Sequence, residues 1–199
     1  GIKKKYDSLL GVSGGVDSSY LAYLAKENGL RPLIVHFDNG WDSELAVKNI
    51  ENLISKLGFE LYTYVMDWEE FRELQRSYFK ASVIDIEVPT DQLIFGALFR
   101  LAKKYKVKYI LSGWNTTTEA IMPPSWSYKK FDSRNLLSIH KSHSNKSLKN
   151  LPIMGFKNAM WNQFIHKIEI VPLLNYVEYN KKEIKSFLMD HLGWRDYGG

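Results

Sequence analysis

Short apolar runs and helically spaced apolar residues alternate along the first two thirds of the chain. The run from Leu9 to Val12 has the length of a buried strand, and Val16, Tyr20 and Leu24 follow at about one helical turn. Gly29 then supplies a stop, because glycine readily adopts the left-handed conformation that ends helices. This stretch predicts a strand, a tight loop and a helix.

The same succession recurs further along the chain. Apolar runs predict four more strands: Leu33–Phe37, Leu61–Val65, Tyr109–Leu111 and Ile168–Val171. Polar residues suited to helix capping precede the helical stretches: Ser43, Asp67, Thr90 or Asp91, and Asn180. Strands that alternate with helices are typical of a parallel sheet with crossover helices, so the sequence predicts an α/β fold with a twisted parallel sheet.

The pattern weakens between Met122 and Trp161, where Pro, Ser, Asn and Lys are frequent. We expect irregular structure there, with one or two helices. Residues 1–120 are accordingly predicted to form the α/β core, and residues 121–199 to form an irregular helical segment that packs on the core and closes over a substrate. At 199 residues, the two parts suit one compact domain.

Composition narrows the classes of protein. An apolar fraction of 45% indicates a folded chain, and no stretch approaches the roughly 18 apolar residues of a membrane-spanning helix. Cysteine is absent, which excludes disulfides, thiolate metal sites and cysteine nucleophiles on this polypeptide. We expect a cytoplasmic protein.

The net charge is +5, and much of the excess lies in one part of the chain. The basic residues there are Lys129, Lys130, Arg134, Lys141, Lys146, Lys149 and Lys157. A solvated surface and a footprint for an anionic nucleotide or RNA both account for them.

The loop Ser13–Ser19 carries the clearest chemical signal. It follows the first strand and precedes a helix, so backbone N–H groups and the helix dipole are available to a phosphate. Ser13, Gly14, Gly15, Ser18 and Ser19 allow close approach or donate hydrogen bonds. Asp17 is suited to a magnesium ion on the phosphates. A turn with capping residues and no ligand is the alternative.

This loop lacks the lysine of the Walker A motif and the spacing of the dinucleotide-binding glycines. It resembles instead the S-G-G-x-D-S-[ST] loop of the N-type ATP pyrophosphatases, the PP-loop superfamily. The resemblance implies an adenine nucleotide alpha hydrolase-like, Rossmann-like fold. It also implies that the loop holds the β- and γ-phosphates of ATP as a leaving group.

Two further strand ends complete the predicted ATP site. The resemblance places adenine at the end of the second strand, with Val35 and Phe37 as neighbours and Asp38 beside them. A simple turn at residues 38–40 is the alternative. Ser112–Asn115, at the end of a later strand, is predicted to face the α-phosphate and ribose through Gly113 and Asn115, with Glu119 nearby.

A wider set of short segments resembles the N-acetyl sugar amidotransferases of bacterial surface-polysaccharide biosynthesis, the WbpG type. The segments are His36–Trp41, Asp67–Trp68, Val88–Asp91, Pro124–Trp126 and Gly193–Gly199. The resemblance implies an ATP-dependent C–N ligase of lipopolysaccharide and O-antigen biosynthesis. It would adenylate an acetamido group of a nucleotide-linked sugar and use ammonia to make an acetamidino group.

The amidotransferase hypothesis also suggests a base and a partner. Asp91 and Glu119 are candidate acceptors for a proton from ammonia, although Asp91 could equally be a helix cap. Common glutaminases use a cysteine, which this chain lacks, so we expect a separate glutaminase subunit to supply ammonia. Neither a membrane nor a nucleic acid is an expected partner.

Two other functions remain open from the sequence. A tRNA-modifying enzyme with the same loop would also adenylate its substrate, and the positive net charge of the chain permits RNA binding. A regulatory module that binds an adenine nucleotide without turnover would use the same fold.

Overall fold

Five parallel strands form the sheet on which the rest of the fold is built. The computed structural model of the protein describes residues 5–116 and 130–197. The strands are β1 (Ser8–Val12), β2 (Pro32–Asp38), β3 (Leu61–Val65), β4 (Tyr109–Leu111) and β5 (Glu169–Val171). This arrangement confirms the predicted α/β fold.

Seven α-helices in the described ranges cover the sheet. They are α1 (Val16–Glu27), α2 (Glu44–Leu57), α3 (Trp68–Lys80), α4 (Val88–Tyr105), α5 (Ser133–His143), α6 (Phe156–Phe164) and α7 (Lys181–Leu192). A short 3₁₀ helix, Leu173–Tyr176, joins β5 to the segment before α7.

The strand order creates a crevice at one edge of the sheet. The order is β3-β2-β1-β4-β5, and every pair is parallel. The chain therefore moves outward from β1 to β3 and then returns to the other side of β1 as β4. The carboxyl ends of β1 and β4 diverge at this switch point, which is where open α/β sheets bind ligands.

Alternate residues of the strands supply two cores, one on each face. On β1, Leu9 belongs to the core under α3, α4 and α5, whereas Leu10 belongs to the core under α1, α2 and α7. Val35 and Ile34 divide in the same way on β2. Both faces are apolar because both are covered, as expected for a parallel sheet.

Capping residues mark the starts and ends of several helices at the positions that the sequence predicts. Ser43 Oγ accepts a hydrogen bond from Ala46 N at 3.1 Å, and Gly58 ends α2 with a φ of 68°. Asp67 Oδ1 caps α3 through Glu70 N. At α7, Asn180 and Gly193 have the same roles.

The start of α4 differs from the prediction. The helix begins at Val88 after Glu87, so Thr90 and Asp91 lie within its first turn and neither is its cap. Pro89 explains the earlier start, since proline has no N–H to leave unbonded and its fixed φ suits the first helical turn. In the described part of the weakly patterned stretch, α5 and α6 agree with the one or two helices that the sequence predicts.

The later part of the chain extends the layers of the earlier part. β5 pairs with β4, and α7 contributes Ile184, Leu188 and Leu192 to the core that α1 and α2 share. The boundary predicted at residue 120 falls outside the described residues. In the described ranges, no helix is both long enough and apolar enough to cross a bilayer.

The backbone of Pro152 packs directly against Gly96 of α4. A Cβ atom added at Gly96 would lie 1.7 Å from Pro152 O, which is far inside contact distance. The Arg100 side chain donates to Leu151 O one helical turn later. Glycine at position 96 therefore sets how closely the 149–154 segment packs on α4.

We expect Gly96→Ala to lower the free energy of unfolding by about 1–3 kcal/mol, because the methyl group overpacks a backbone contact. Urea titration monitored by circular dichroism measures this change. In an uncrowded helix the same substitution stabilises by about 0.5–1 kcal/mol. A midpoint that is unchanged or higher would therefore contradict the close packing.

Candidate ATP site

A cleft of about 330 Å³ opens at the carboxyl edge of the sheet. Three strand ends and one helix line it. The residues are Gly11–Ser13 around the end of β1, His36, Phe37, Asn39 and Asp42 around the end of β2, Ile110–Gly113 around the end of β4, and Thr90, Ile94, Phe95 and Leu98 on α4. The cleft therefore lies at the switch point between β1 and β4, as the strand order predicts.

Ser13 in the loop between β1 and α1 and Ser18 in the first turn of α1 hold this loop. Ser18 Oγ lies 3.3 Å from Ser13 N and 3.4 Å from Gly15 O. The N–H of Gly15 points toward Ser13 Oγ, at 3.4 Å, on the exposed side of the loop. These long contacts leave polar groups that an incoming phosphate can bind at shorter distance.

The backbone of α2 leaves no room for a side chain at Gly14. Its φ is +78°, a conformation that residues with a Cβ rarely adopt, and an added Cβ would lie 2.5 Å from Ala46 O. Its carbonyl oxygen accepts hydrogen bonds from Trp194 Nε1 at 2.7 Å and from Asn49 Nδ2 at 3.4 Å. The Gly14 carbonyl therefore points into the protein and away from the cleft side of the loop.

Asp17 lies in the first turn of α1, where the helix dipole favours negative charge. Tyr179, which precedes α7, donates its hydroxyl to Asp17 Oδ1. A carboxylate has a second oxygen, so Asp17 suits a Mg²⁺ ion that keeps its remaining ligands from water and ATP phosphates. Bound there, the ion would neutralise phosphate charge. The described residues contain no cluster of three or more potential metal ligands.

The wall beside β2 is apolar. Phe37 and Leu98 line the cleft, and an added Cβ at Gly11 would contact both, at 3.6 and 3.9 Å. Neither Val35 nor Asp38 lines the cleft: Val35 is fully buried in the core, and Asp38 Oδ1 accepts a hydrogen bond from Gly40 N. Phe37 is therefore the structure's candidate neighbour for a planar base, and Val35 lies one layer below.

The loop after β4 forms the opposite wall. Ser112 and Gly113 line the cleft, and a Cβ at Gly113 would lie 3.5 Å from Ser18 N. Asn115 is buried behind this loop, with 1% of its surface exposed. The predicted Gly113 is thus opposite the start of α1, whereas Glu119 lies outside the described residues.

A histidine and a carboxylate face each other at the mouth of the cleft. His36 Nε2 lies 3.6 Å from Asp42 Oδ2, and His36 Nδ1 lies 3.4 Å from Val12 O. Burial raises the pKa of Asp42, and the nearby His36 opposes this shift without cancelling it. Asp42 was not a predicted site residue, although an acidic side chain shortly after a strand end is a signal that could have found it.

Asp91 faces a different neighbour. Its carboxylate accepts a 2.5 Å hydrogen bond from Lys130 Nζ, and Thr90 rather than Asp91 lines the cleft. Burial lowers the pKa of Lys130, but its hydrogen bond to Asp91 and the charges of Asp91 and Asp85 outweigh this effect and raise it. Asp91 is thus an anchor for the chain at Lys130 in this structure, and its predicted role as a base stays a prediction.

A second cavity, of about 490 Å³, adjoins the first through Phe95, which lines both. Its walls are mostly apolar. The other lining residues are Phe99, Phe131, Met154, Ala159, Gln163, Ile168, Glu169 and Ile170. Phe95 and Phe131 meet edge to face, with ring centroids 5.0 Å apart. The site thus has a phosphate loop, a base-sized apolar wall and an adjoining chamber.

Sequence comparison finds two curated relatives, and no family model matches the chain. A 102-residue segment is 36% identical to tRNA(Ile)-lysidine synthase of Chlamydia pneumoniae, covering 49% of this chain and 31% of the relative. A 118-residue segment is 28% identical to tRNA-specific 2-thiouridylase MnmA 2 of Fusobacterium nucleatum, covering 56% and 34%. The chain thus matches about a third of each relative. Both relatives are members of the PP-loop ATP pyrophosphatase superfamily.

The fold is similar to that of a solved structure. The predicted subunit of a tRNA methyltransferase from Methanocaldococcus jannaschii superposes with a TM-score of 0.53 at 16% identity, covering 92% of this chain and 73% of that one. This likeness supports the adenine nucleotide alpha hydrolase-like fold that the loop motif predicts.

We expect Gly14→Ala to weaken ATP binding at least about tenfold, because the loop cannot keep its left-handed turn or its distance from Ala46 O. Isothermal titration calorimetry with ATP measures this effect. Gly29→Ala is the matched control, since Gly29 has a φ of 68° but open space around it. It should cost about 1 kcal/mol of stability and leave ATP affinity unchanged. Equal ATP affinity in both variants would contradict a phosphate role for the loop.

Proposed function

We propose that this protein cleaves ATP between the α- and β-phosphates to activate an amide oxygen of a second substrate. The observation that carries the proposal is the Ser13–Ser19 loop, whose Gly14 carbonyl is turned inward at the switch point of the sheet. The loop has no lysine of the kind that serves γ-phosphoryl transfer in P-loop enzymes. The similarity to PP-loop relatives supports the same reaction class.

The chemistry follows from the weakness of amides as reactants. The amide oxygen attacks the α-phosphorus, the bond to the β-phosphate oxygen breaks, and pyrophosphate leaves. Ammonia then adds to the activated carbon, loses a proton to a base, and displaces AMP, so that C=O becomes C=NH. Holding both reactants in adjoining cavities lowers the entropic cost of the first step.

We assign the acceptor to the second cavity. Phe95 lines both cavities, which favours an acceptor in the chamber whose reacting group reaches the α-phosphate in the cleft. The aromatic walls suit a nucleobase or the apolar face of a sugar, and Gln163 and Glu169 supply polar contacts. A nucleotide-linked N-acetyl sugar, the substrate implied by the sequence segments, combines both.

A tRNA substrate is the second candidate. The names of both sequence relatives refer to tRNA, and the chain is basic, with a net charge of +5. In that case the activated oxygen belongs to a base, and the basic residues around α5 contact phosphates. The two candidates share the ATP chemistry and differ only in what enters the chamber.

Product analysis tests the activation step and the acceptor together. Incubation with ATP, magnesium, ammonium and UDP-linked acetamido sugars should yield AMP and pyrophosphate in equal amounts, with mass spectrometry showing O replaced by NH. A parallel reaction with unmodified tRNA addresses the second candidate. ADP and phosphate as stoichiometric products would sink the pyrophosphatase assignment, whereas AMP formed only with tRNA would move the acceptor assignment to RNA.

The nitrogen donor is a separate prediction. The chain has no cysteine, so it lacks the thiolate that common glutaminases use, and a second subunit is the proposed source of ammonia. Ammonium chloride should support amidine formation by the purified chain, and glutamine should not. The same assay with glutamine and an added glutaminase is the control. Glutamine-dependent product from this polypeptide alone would defeat the two-subunit proposal.

A further inference from the structure

The Gly14 carbonyl receives its hydrogen bonds from two distant parts of the chain. Trp194 Nε1, 180 residues later, donates at 2.7 Å and is the shorter contact. Asn49 on α2 donates at 3.4 Å. Trp194 is 3% exposed and follows Gly193, the left-handed cap of α7. A buried indole N–H therefore donates a hydrogen bond to the backbone of the phosphate loop.

The orientation of the Gly14 carbonyl also fixes the direction of the Gly15 N–H. In a trans peptide the C=O and the following N–H point in opposite directions. Because the Gly14 oxygen points toward Trp194, the Gly15 N–H points toward Ser13 Oγ on the exposed side. A flip of this peptide would place a carbonyl oxygen where the phosphate binds and would repel it.

The segment that carries Trp194 is itself docked onto α2. Asn49 Oδ1 accepts from Arg195 N at 2.8 Å, and Asn49 Nδ2 donates to Arg195 O at 2.9 Å. Asn52 Nδ2 donates to Gly193 O at 2.8 Å. Hydrogen bonds on both sides of Trp194 thus hold its indole at a fixed distance from the loop.

We propose that Trp194 is a positioning residue for ATP, which acts by holding the Gly14–Gly15 peptide with its N–H toward the β- and γ-phosphates. The proposal rests on the proposed ATP site and adds a residue outside the loop to it. The residues after α7 therefore contribute to the ATP site by holding the phosphate loop from the side opposite the cleft.

The effect is specific to the phosphates. Phe37 and Leu98, which line the apolar wall, belong to the core on one face of the sheet, whereas Trp194 belongs to the core on the other face. Loss of the indole N–H should thus weaken ligands that carry β- and γ-phosphates and spare those that do not. One net hydrogen bond of this kind corresponds to about a 2- to 12-fold change in affinity.

The test compares Trp194→Phe with Trp161→Phe by calorimetric titration of ATP and of AMP. Trp161 lies on α6 and is 59% exposed, so it controls for the loss of a tryptophan. Trp194→Phe should bind ATP about 2- to 12-fold more weakly and AMP as the wild type does. A second variant replaces Trp194 with benzothienylalanine, which keeps the shape of the indole without its N–H and so guards against loss of folding.

The outcomes separate this inference from the proposed function. Equal losses of ATP and AMP affinity would indicate a structural role and overturn the inference alone. So would unchanged ATP affinity in the benzothienylalanine variant. Failure of the wild-type protein to bind ATP would overturn the proposed function and this inference together.

Discussion

The hydrogen bond that the Trp194 indole N–H donates to the inward-pointing Gly14 carbonyl is the constraint on which the candidate site depends. It requires a glycine with positive φ, because any side chain at that position would meet Ala46 O. It also requires α7 to end where it does, so that Trp194 follows Gly193 at the right place. The loop motif near the start of the chain and the segment near its end therefore form one structural unit.

Much of the fold is predictable because its signals are local. Ser43, Asp67, Asn180 and Gly193 mark helix ends through contacts only a few residues away. Pro89 shifts the start of α4 for an equally local reason. The loop at Ser13 is recognisable for the same reason, since its residue types and its place between a strand and a helix lie within a single short segment.

The candidate site is less predictable where it depends on distant contacts. Val35 and Phe37 lie on the same face of β2, but only Phe37, nearer the carboxyl end of the strand, lines the cleft, while Val35 is sealed in the core. Asp91 faces Lys130, a partner 39 residues away, and Tyr179 reaches Asp17 across 162 residues. No local pattern encodes these pairs. Similarity to tRNA-modifying relatives covers about half of the chain, so the acceptor has to be argued from the second cavity rather than carried over from them.

The central claim is that the Ser13–Ser19 loop holds the pyrophosphate end of ATP. A crystal structure with α,β-methylene-ATP and magnesium tests it most directly, since this analogue cannot be cleaved between the α- and β-phosphates. The account predicts the β- and γ-phosphates on the Gly15 N–H and Ser18, the base beside Phe37, and the Gly14 carbonyl still bonded to Trp194. A triphosphate bound elsewhere, or a Gly14 carbonyl turned toward it, would contradict the account.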